Sequence, residues 1–475
     1  MFTHQDKQLI EKLKKLPLDY WDFKEEDTKE FTHGIHNYPA MMVCPISRNI
    51  IQMVQDIRPV TALFDPFAGS GTVLVEGMLS GVDIVAGNDI NPLALFLCKA
   101  KTTQIKHSDL EQACADLLAR ITVQMQRYSA GLNEVDAYIS GCKGLNLAAK
   151  NGWGDNASSY LSEYCSIKGM PITVPNFKNI GYWFRPKVIL ELSIIKAEIE
   201  KIKDAIIRNY VFVALSESIR LVSNRRNGEF KMFRMPPAKV LTFNPDVLGE
   251  FSKILQRNIL KMDDFCSALS KIGASPSVSL FCNNACSLHD VPNDAYDLVI
   301  TSPPYGDSRT TVAYGEYSRL SLQWINLSNL SEKEIMQVDK TLMGGTKYRS
   351  GFEFALKSNT LDRALSTIKG IDLERAGDVY SFYTDLDKAI AEIATKTKSG
   401  GYHFWVVGNR TVKNELLQTD VIITELAPQY GLVPIYTVDR NIPNKVMPSR
   451  NSPTNKPGKT NATITMEHIV VLRKE

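Results

Sequence analysis

The sequence predicts an α/β protein with a mostly parallel sheet and a large, mostly helical insertion. Two observations predict this class. Apolar strands and helices alternate between residues 60 and 100, and strand-like stretches then return only at 277 and 296. Such an alternation makes neighbouring strands parallel and places the helices on the faces of the sheet. The 475 residues are enough for one such domain with long insertions.

The first part of the alternation is short and regular. An apolar strand is predicted at 60–64, a helix at 73–79 and a second strand at 82–88. A further helix is predicted at 91–100, because Pro92 suits the first turn of a helix.

The segment 106–275 interrupts the alternation and is too long for a structureless loop. From Ile189 onward apolar residues recur every three or four positions, which predicts a long helix. Residues 131–181 show no clear period, and further helices are predicted at 108–128, 211–222 and within 245–270. We therefore expect an insertion at 106–275 within a sheet domain made of 1–105 and 276–475.

The sheet pattern returns after the insertion, first at 277–282 and 296–301. An irregular stretch is then expected from 306 to 376. The remaining predicted elements are a helix at 378–398, a strand at 401–407, a helix at 421–430 and strands at 431–436 and 463–472.

Composition predicts a cytoplasmic protein. The sequence is 44% hydrophobic and 23% charged, as is ordinary for globular proteins. It lacks a run of about 18 apolar residues, so no transmembrane helix is expected. Its first 15 residues have no apolar core of a secretory signal. The eight irregularly spaced cysteines favour free thiols in a reducing compartment.

Two basic segments stand out in a chain whose net charge is only +3. No acidic residue lies between Arg440 and Met466, and NRRNGEFKMFR, residues 224–234, interleaves cations with aromatic side chains. Either segment is a solvated surface or a site of phosphate contact, and the mild net charge does not decide between the two.

DPFAGSGT, residues 65–72, is a glycine turn between a strand and a helix. It is not the dinucleotide fingerprint, since the third glycine would fall at Leu74, and it lacks the Gly-Lys pair of a P-loop. Asp89 ends the next strand, where a carboxylate can accept hydrogen bonds from both ribose hydroxyls of a nucleoside. The ligand should therefore carry a ribose without needing a phosphate, and S-adenosyl-L-methionine fits both conditions.

TSPPY, Thr301–Tyr305, follows another strand and resembles the fourth motif of the DNA amino-methyltransferases. DPFAGSGT resembles the first motif of that family, and HNYPAMM at 36–42 resembles its tenth. The resemblance implies a class I S-adenosylmethionine-dependent methyltransferase fold, which is Rossmann-like, with seven mostly parallel strands ending in a reversed strand. It makes 1–105 with 276–475 the catalytic domain.

The resemblance also implies a chemistry for this motif. The lone pair of an exocyclic amine is delocalised into the base, and two acceptors aimed at its N–H groups localise that pair. Ser302 and the carbonyl of Pro303 would be these acceptors, with the prolines fixing the direction of the carbonyl in advance. Tyr305 would stack on a base flipped out of the duplex.

Serine at the first position of the motif is typical of the cytosine-N4 branch, so Ser302 favours cytosine N4. Adenine N6 is the nearest alternative. Guanine N2 of tRNA and the amide of a protein glutamine are further possible targets, because methyltransferases acting on them use related Pro-Pro-Tyr motifs. A DNA-binding protein without catalysis is the non-enzyme alternative. Cytosine-C5 chemistry needs a Pro-Cys nucleophile, and no cysteine here follows a proline.

The matching motifs assign the site residues. The catalytic set is Ser302, Pro303, Pro304 and Tyr305. The cofactor-binding set is Pro39, Asp65, Pro66, Phe67, Gly69, Gly71, Asp89, Ile90 and Asn284. Asn284 departs from the family, whose third motif often has an acid there. No metal site is expected, because Cys282, Cys286 and His289 lack a fourth ligand at a suitable spacing.

Double-stranded DNA is the expected partner, and the family implies a cognate restriction endonuclease as a second one. The insertion 106–275 is the first candidate for the target-recognition region, and 306–376 is the second. The cations expected to contact DNA are Arg225, Arg226, Lys231, Arg309, Arg319, Arg440, Lys445 and Arg450.

Overall fold

One seven-stranded sheet organises the chain. The computed structural model describes residues 1–142, 144–226, 230–273, 275–307, 312–327, 330–345, 348, 353, 355–442, 450–451, 461–462 and 466–475. Its strands are β1 (Ala62–Asp65), β2 (Ile84–Asn88), β3 (Ser277–Phe281), β4 (Tyr296–Thr301), β5 (Thr397–Gly408), β6 (Arg410–Val412), β7 (Glu415–Leu417), β8 (Leu432–Asn441), β9 (Arg450–Asn451), β10 (Asn461–Ala462) and β11 (Met466–Lys474).

The strand order is β3-β2-β1-β4-β5-β11-β8. The pairs from β3 to β5 are parallel, whereas β11 runs antiparallel to both of its neighbours. The reversed strand is thus the last in the chain but lies second from the edge of the sheet. This order confirms the α/β, class I methyltransferase-like fold. Strands β6 with β7, and β9 with β10, form separate two-stranded ribbons.

Helices cover both faces of the sheet. They are α1 (His4–Lys15), α2 (Cys44–Gln55), α3 (Thr72–Leu79), α4 (Pro92–Thr102), α5 (His107–Arg127), α6 (Ser129–Cys142), α7 (Ala157–Ile167), α8 (Ile180–Trp183), α9 (Pro186–Glu200), α10 (Ala205–Leu221), α11 (Pro237–Thr242), α12 (Val247–Ile272), α13 (Tyr314–Ile325), α14 (Glu332–Ile335), α15 (Val338–Thr341), α16 (Asn359–Ile371), α17 (Leu373–Lys396) and α18 (Thr419–Leu426). Short 3₁₀ helices span Phe31–Ile35 and Ala427–Tyr430. None of the described helices is long and apolar enough to span a membrane.

The hydrophobic core has two parts, one on each face of the sheet. Successive strand residues point to opposite faces, so Leu63 and Leu298 belong to one cluster while Phe64 and Val299 belong to the other. The first cluster also contains the apolar faces of α5, α9, α10 and α12, so the helices of 107–272 share a core with the sheet. The second contains the apolar faces of α16, α17 and α18.

Two stretches are more helical than the sequence predicts. Residues 131–181 contain α7, most of α6 and the start of α8, although no period was visible there. The interval expected to be irregular, 306–376, contains α13 to α16 and the start of α17. Several of these helices are short or are buried on more than one side, and either circumstance removes the one-sided apolar pattern that identifies a helix from sequence. Residues 463–465 of the last predicted strand lie outside the described residues.

Candidate active site

A cavity of about 850 Å³, its open mouth included, lies at the carboxyl ends of the parallel strands. In open α/β sheets this edge is where ligands bind. The ends of β1, β2, β3 and β4 contribute to its wall, as does the segment 38–42. Ten of the predicted site residues line it, namely Pro39, Asp65, Pro66, Phe67, Gly69, Asp89, Ile90, Asn284, Ser302 and Pro304.

The glycine turn uses the backbone freedom that only glycine has. Gly69 and Gly71 have φ of +50° and +84°, in the left-handed region. Gly71 precedes the first residue of α3 and is not in the cavity wall; a Cβ there would lie 3.1 Å from Sγ of Cys98. Its role in this structure is therefore to let α3 start close to α4.

Asp89 joins the glycine turn to the second strand. One carboxylate oxygen accepts from the amide of Gly69 at 2.9 Å, and the other accepts from the amide of Asn91 at 2.8 Å. Burial raises the pKa of Asp89 to about 6, although these backbone N–H groups oppose the shift. Each oxygen keeps a further lone pair, so the carboxylate can still accept from hydroxyl groups in the cavity.

Asp65 connects the two predicted motifs directly. Its Oδ1 accepts from the hydroxyl of Thr301 at 2.7 Å and from the amide of Phe67 at 3.1 Å. Burial raises the pKa of Asp65 to about 7, against the lowering effect of these two donors. Since Thr301 immediately precedes Ser302, this bond sets the end of β4 against the end of β1.

Asn88 and Asn283 are site residues that the motifs did not identify. Asn88 donates to the carbonyls of Pro66 and Asn283, both at 3.1 Å, and accepts from the amide of Asn283 at 2.9 Å. It therefore holds the loops after β1 and β3 together. Asn283 is only 4% exposed and lines the cavity, and its Nδ2 has no hydrogen-bond partner among the described residues. Asn283 could have been found from the sequence, because it follows a predicted strand and is next to a second asparagine, Asn284.

Asn284, which the motifs did identify, is already engaged. Its Oδ1 accepts from the amide of Cys286 at 2.9 Å, and its Nδ2 lies 3.5 Å from the carbonyl of Thr341. Asn283 therefore offers a buried donor in the CNNAC stretch, while the exposed Asn284 amide keeps one N–H besides its contact with Thr341.

The TSPPY motif divides between the cavity and the interior. Ser302 and Pro304 line the cavity, whereas Pro303 is buried and Tyr305 is not part of the cavity wall. The hydroxyl of Ser302 donates to the hydroxyl of Tyr305 at 3.2 Å, which donates to Oε1 of Glu467 at 2.9 Å. Burial and the Glu467 carboxylate raise the pKa of Tyr305 well above its usual value. Stacking of the Tyr305 ring on a base stays a prediction.

The residues after the motif are fixed by buried ion pairs. Oδ2 of Asp307 lies 3.2 Å from Arg375 Nη2 and 3.3 Å from Arg410 Nη2. Gly306 has φ +154°, and a Cβ there would lie 1.5 Å from Nη1 of Arg410. A side chain at this position would push the guanidinium of Arg410 aside, and the backbone φ also favours glycine.

The tenth-motif stretch closes the other side of the cavity. Tyr38 accepts from Nδ2 of Asn91 at 3.1 Å and stacks on Tyr314 with ring centroids 6.0 Å apart. Asn91 also donates to the hydroxyl of Ser318 at 2.7 Å. The start of α13 thus completes the wall, in an interval that was expected to be irregular.

The predicted DNA-contacting cations are not equally placed. Arg226 is exposed, and Lys231 and Arg319 are half-buried. Arg225 is 5% exposed and donates to the carbonyl of Arg226. Arg309 and Lys445 lie outside the described residues, and of Arg450 only the backbone pairing in β9 is described.

Arg440 is corrected from a surface cation to a buried one. It is 3% exposed, donates to the carbonyl of Trp21 at 2.9 Å and forms a salt bridge with Glu467. The lack of acidic residues nearby in sequence was misleading, because the partner of Arg440 comes from β11. A guanidinium in this position faces the interior and not a phosphate.

The strand order and the cavity, with its glycine turn and strand-end acids, define the class of protein as a methyltransferase. In agreement, a family model described as "RMKL-like, methyltransferase domain" matches residues 35–141. This stretch contains the tenth-motif segment, the glycine turn and Asp89.

The particular family follows from comparison with known proteins. The chain is 39% identical over 480 residues to the type II methyltransferase M.MvaI of Kocuria varians, covering 99% of this chain and 97% of that protein. It therefore belongs to the type II family of DNA methyltransferases. The type II methyltransferase M.MjaII of Methanocaldococcus jannaschii is 21% identical over 347 residues, which are 65% of this chain and 59% of that protein.

Among solved structures, the rRNA methyltransferase aviRa from Streptomyces viridochromogenes is also similar. The two chains align over 92% and 88% of their lengths, with a TM-score of 0.29 and 10% identity. A likeness of this size carries no functional argument.

Proposed function

We propose that this protein transfers a methyl group from S-adenosyl-L-methionine to the exocyclic N4 amine of cytosine in double-stranded DNA. The observation that carries the proposal is that Ser302 lines the same cavity as the glycine turn and Asp89. A donor held on the turn would thus be next to a hydroxyl able to accept from an amine. Within a restriction-modification system the product would protect DNA from a cognate endonuclease in the cytoplasm.

The cavity suits a nucleoside-containing methyl donor. Its wall combines apolar side chains with a few polar groups at strand ends, as is usual for small-molecule sites. Asp89 offers acceptors for ribose hydroxyls, and the buried Nδ2 of Asn283 offers a donor without a partner among the described residues. Pro39, Pro66, Phe67 and Ile90 supply apolar wall on which a base can lie. S-adenosyl-L-methionine would supply a methyl group bound to a sulfonium. The amine lone pair would attack the methyl carbon, and the electrons of the broken carbon–sulfur bond would pass to sulfur.

The chain's own residues would prepare the amine. Ser302 accepts one N–H and the carbonyl of Pro303 accepts the other, which concentrates the lone pair on nitrogen. The adjacent prolines hold that carbonyl in place, so little order has to be gained during the reaction. After transfer the methylated amine loses one proton to water and regains a neutral, conjugated state.

The choice of cytosine N4 rests on Ser302, as the serine of the cytosine-N4 branch. Adenine N6 would use the same two acceptors, so it remains an outcome of the experiment below. Arg226, Lys231 and Arg319 are the described cations that would contact the DNA backbone. The segment 106–275 would form the target-recognition region, with 306–376 shaping the pocket for the base.

The protein should be expressed in a host that lacks DNA methylation, and its nucleosides then analysed by mass spectrometry and long-read sequencing. N4-methylcytosine at one short motif, absent from a Ser302→Ala control, is the expected result. N6-methyladenine would overturn the base assignment. Methyl groups found only in RNA would overturn the DNA substrate.

A further inference from the structure

A chain of hydrogen bonds leads from the catalytic hydroxyl to a charged carboxylate on a distant strand. Ser302 Oγ donates to Tyr305 Oη at 3.2 Å, and Tyr305 Oη donates to Glu467 Oε1 at 2.9 Å. The other oxygen of Glu467 is paired with Arg440, whose guanidinium is held by the carbonyl of Trp21. Glu467 lies on β11 and is 162 residues from Tyr305 in sequence.

The Glu467 carboxylate determines which group donates and which accepts in each of these hydrogen bonds. An ionised carboxylate only accepts hydrogen bonds, and Arg440 only donates them. The tyrosine must therefore give its proton to Glu467, which leaves the tyrosine oxygen as an acceptor for the proton of Ser302. With its proton committed to Tyr305, Ser302 has only lone pairs left for the cavity.

We propose that Glu467 is a positioning residue that keeps the catalytic serine in its acceptor state, acting through Tyr305 and anchored by Arg440. The inference rests on the proposed function, because an acceptor is what the amine of a base requires. It gives Tyr305 a task besides stacking, and it explains why Arg440 is buried rather than exposed to DNA.

Glu467→Gln tests the donor and acceptor assignment of these hydrogen bonds. The amide oxygen would pair with Arg440, leaving the amide nitrogen to donate to Tyr305. Tyr305 would then donate to Ser302, and Ser302 would present its proton to the lone pair of the amine. We expect a fall of roughly 10- to 100-fold in single-turnover methyl transfer, less than the roughly 100- to 1000-fold lost when a preorganised polar group itself is removed. The affinity for DNA and S-adenosylmethionine should be unchanged.

Tyr305→Phe keeps the aromatic ring and removes the hydroxyl that connects Ser302 to Glu467. Ser302 can then rotate freely between donor and acceptor states, so the rate should fall by less than in Glu467→Gln. In the double variant Glu467 can no longer reach Ser302. The double variant should therefore match Tyr305→Phe and be faster than Glu467→Gln alone, a non-additivity that a double-mutant cycle measures.

Tyr430→Phe is the matched control, since its hydroxyl donates to Asp387 at 2.8 Å outside the cavity. Its activity should be unchanged. A Glu467→Gln variant as active as the wild type, or losses that multiply in the double variant, would overturn the inference while leaving the proposed function intact. A wild-type protein that methylates no nucleic acid would overturn both.

Discussion

The two halves of the cavity are held together in different ways. On the proposed cofactor side the contacts within the glycine turn are local, because Gly69 and Asp89 are 20 residues apart and Asp65 bonds its near neighbour Phe67. The same side also has two distant contacts, since Asp65 bonds Thr301 and Asn88 bonds Asn283, which are 236 and 195 residues away. On the catalytic side the loop 302–307 is held by side chains from distant strands and helices. Its partners Glu467 and Arg410 are 162 and 103 residues away from Tyr305 and Asp307.

The geometry of one half thus depends mainly on residues within its own motif, and the geometry of the other depends on elements that the fold brings together. The glycine turn and Asp89 lie within a short stretch of sequence, so substitutions there should act mainly on binding of the methyl donor. The catalytic loop needs β11 and the segment after β5 to be in place before Ser302 is oriented. Binding and transfer should therefore be separable by substitution.

The largest effect should come from Ser302→Ala, on the catalytic side. Removal of the acceptor leaves the amine lone pair delocalised, so transfer should fall roughly 100-fold or more. Cofactor affinity should stay within about twofold of the wild type, since this hydroxyl already bonds Tyr305. Single-turnover transfer of a labelled methyl group measures the first quantity and calorimetry the second. Retained transfer would refute the role of Ser302.

The next effect should come from Asp89→Asn, on the cofactor side. Loss of a charged acceptor should weaken S-adenosylmethionine binding about 10- to 100-fold. Because burial raises the pKa of Asp89 to about 6, its carboxylate becomes protonated below that pH and accepts less well. Wild-type affinity should thus fall as pH drops through about 6, and calorimetry should find no such step in Asp89→Asn. A wild-type affinity that is flat across this pH range would contradict the assignment.

A smaller effect should come from Gly306→Ala, which tests the long-range anchoring. The new Cβ would displace the guanidinium of Arg410 from Asp307, at a backbone φ unfavourable to alanine. We expect a loss of about 1–3 kcal/mol in unfolding free energy and a slower transfer step. Denaturant unfolding and single-turnover assays measure the two.

Gly370→Ala is the control for that substitution, because nothing lies within 4 Å of a Cβ built on this helical glycine. It should be neutral or stabilising by up to about 1 kcal/mol. Equal destabilisation by both substitutions would show that the Asp307–Arg410 ion pair does not fix the loop.

The smallest effect should come from Arg226→Ala, outside both halves of the cavity. Because the substitution removes one cation that would pair with a phosphate, it should weaken DNA binding a few-fold and lower the salt slope by about 1. Arg363→Ala, exposed on α16, is the matched control and should leave both unchanged. Fluorescence anisotropy across a salt series measures both the DNA affinity and its salt slope. An unchanged slope in Arg226→Ala would remove Arg226 from the DNA surface.

The same division explains what the sequence could predict. The strands around the glycine turn and TSPPY were predicted to within about two residues, because alternation and turn residues are local signals. Asn88, Glu467 and Arg410 could not be found this way, since their importance depends on contacts between distant segments. Arg440 was misjudged for the same reason, as its partner is on another strand. Most helices of 306–376 were missed because short or doubly buried helices lack a one-sided apolar pattern. The exception is α16, whose Leu361, Leu365 and Ile368 do form such a pattern, which was overlooked.

Cofactor affinity and single-turnover methyl transfer, measured side by side for Ser302→Ala and Asp89→Asn, test the account most directly. We predict that Ser302→Ala binds S-adenosylmethionine like the wild type and transfers almost nothing. Asp89→Asn should bind weakly yet transfer at close to the wild-type rate once saturated. If both variants lost the same quantity, either cofactor affinity or transfer rate, the division of the cavity into a binding half around the glycine turn and a catalytic half around Ser302 would be contradicted.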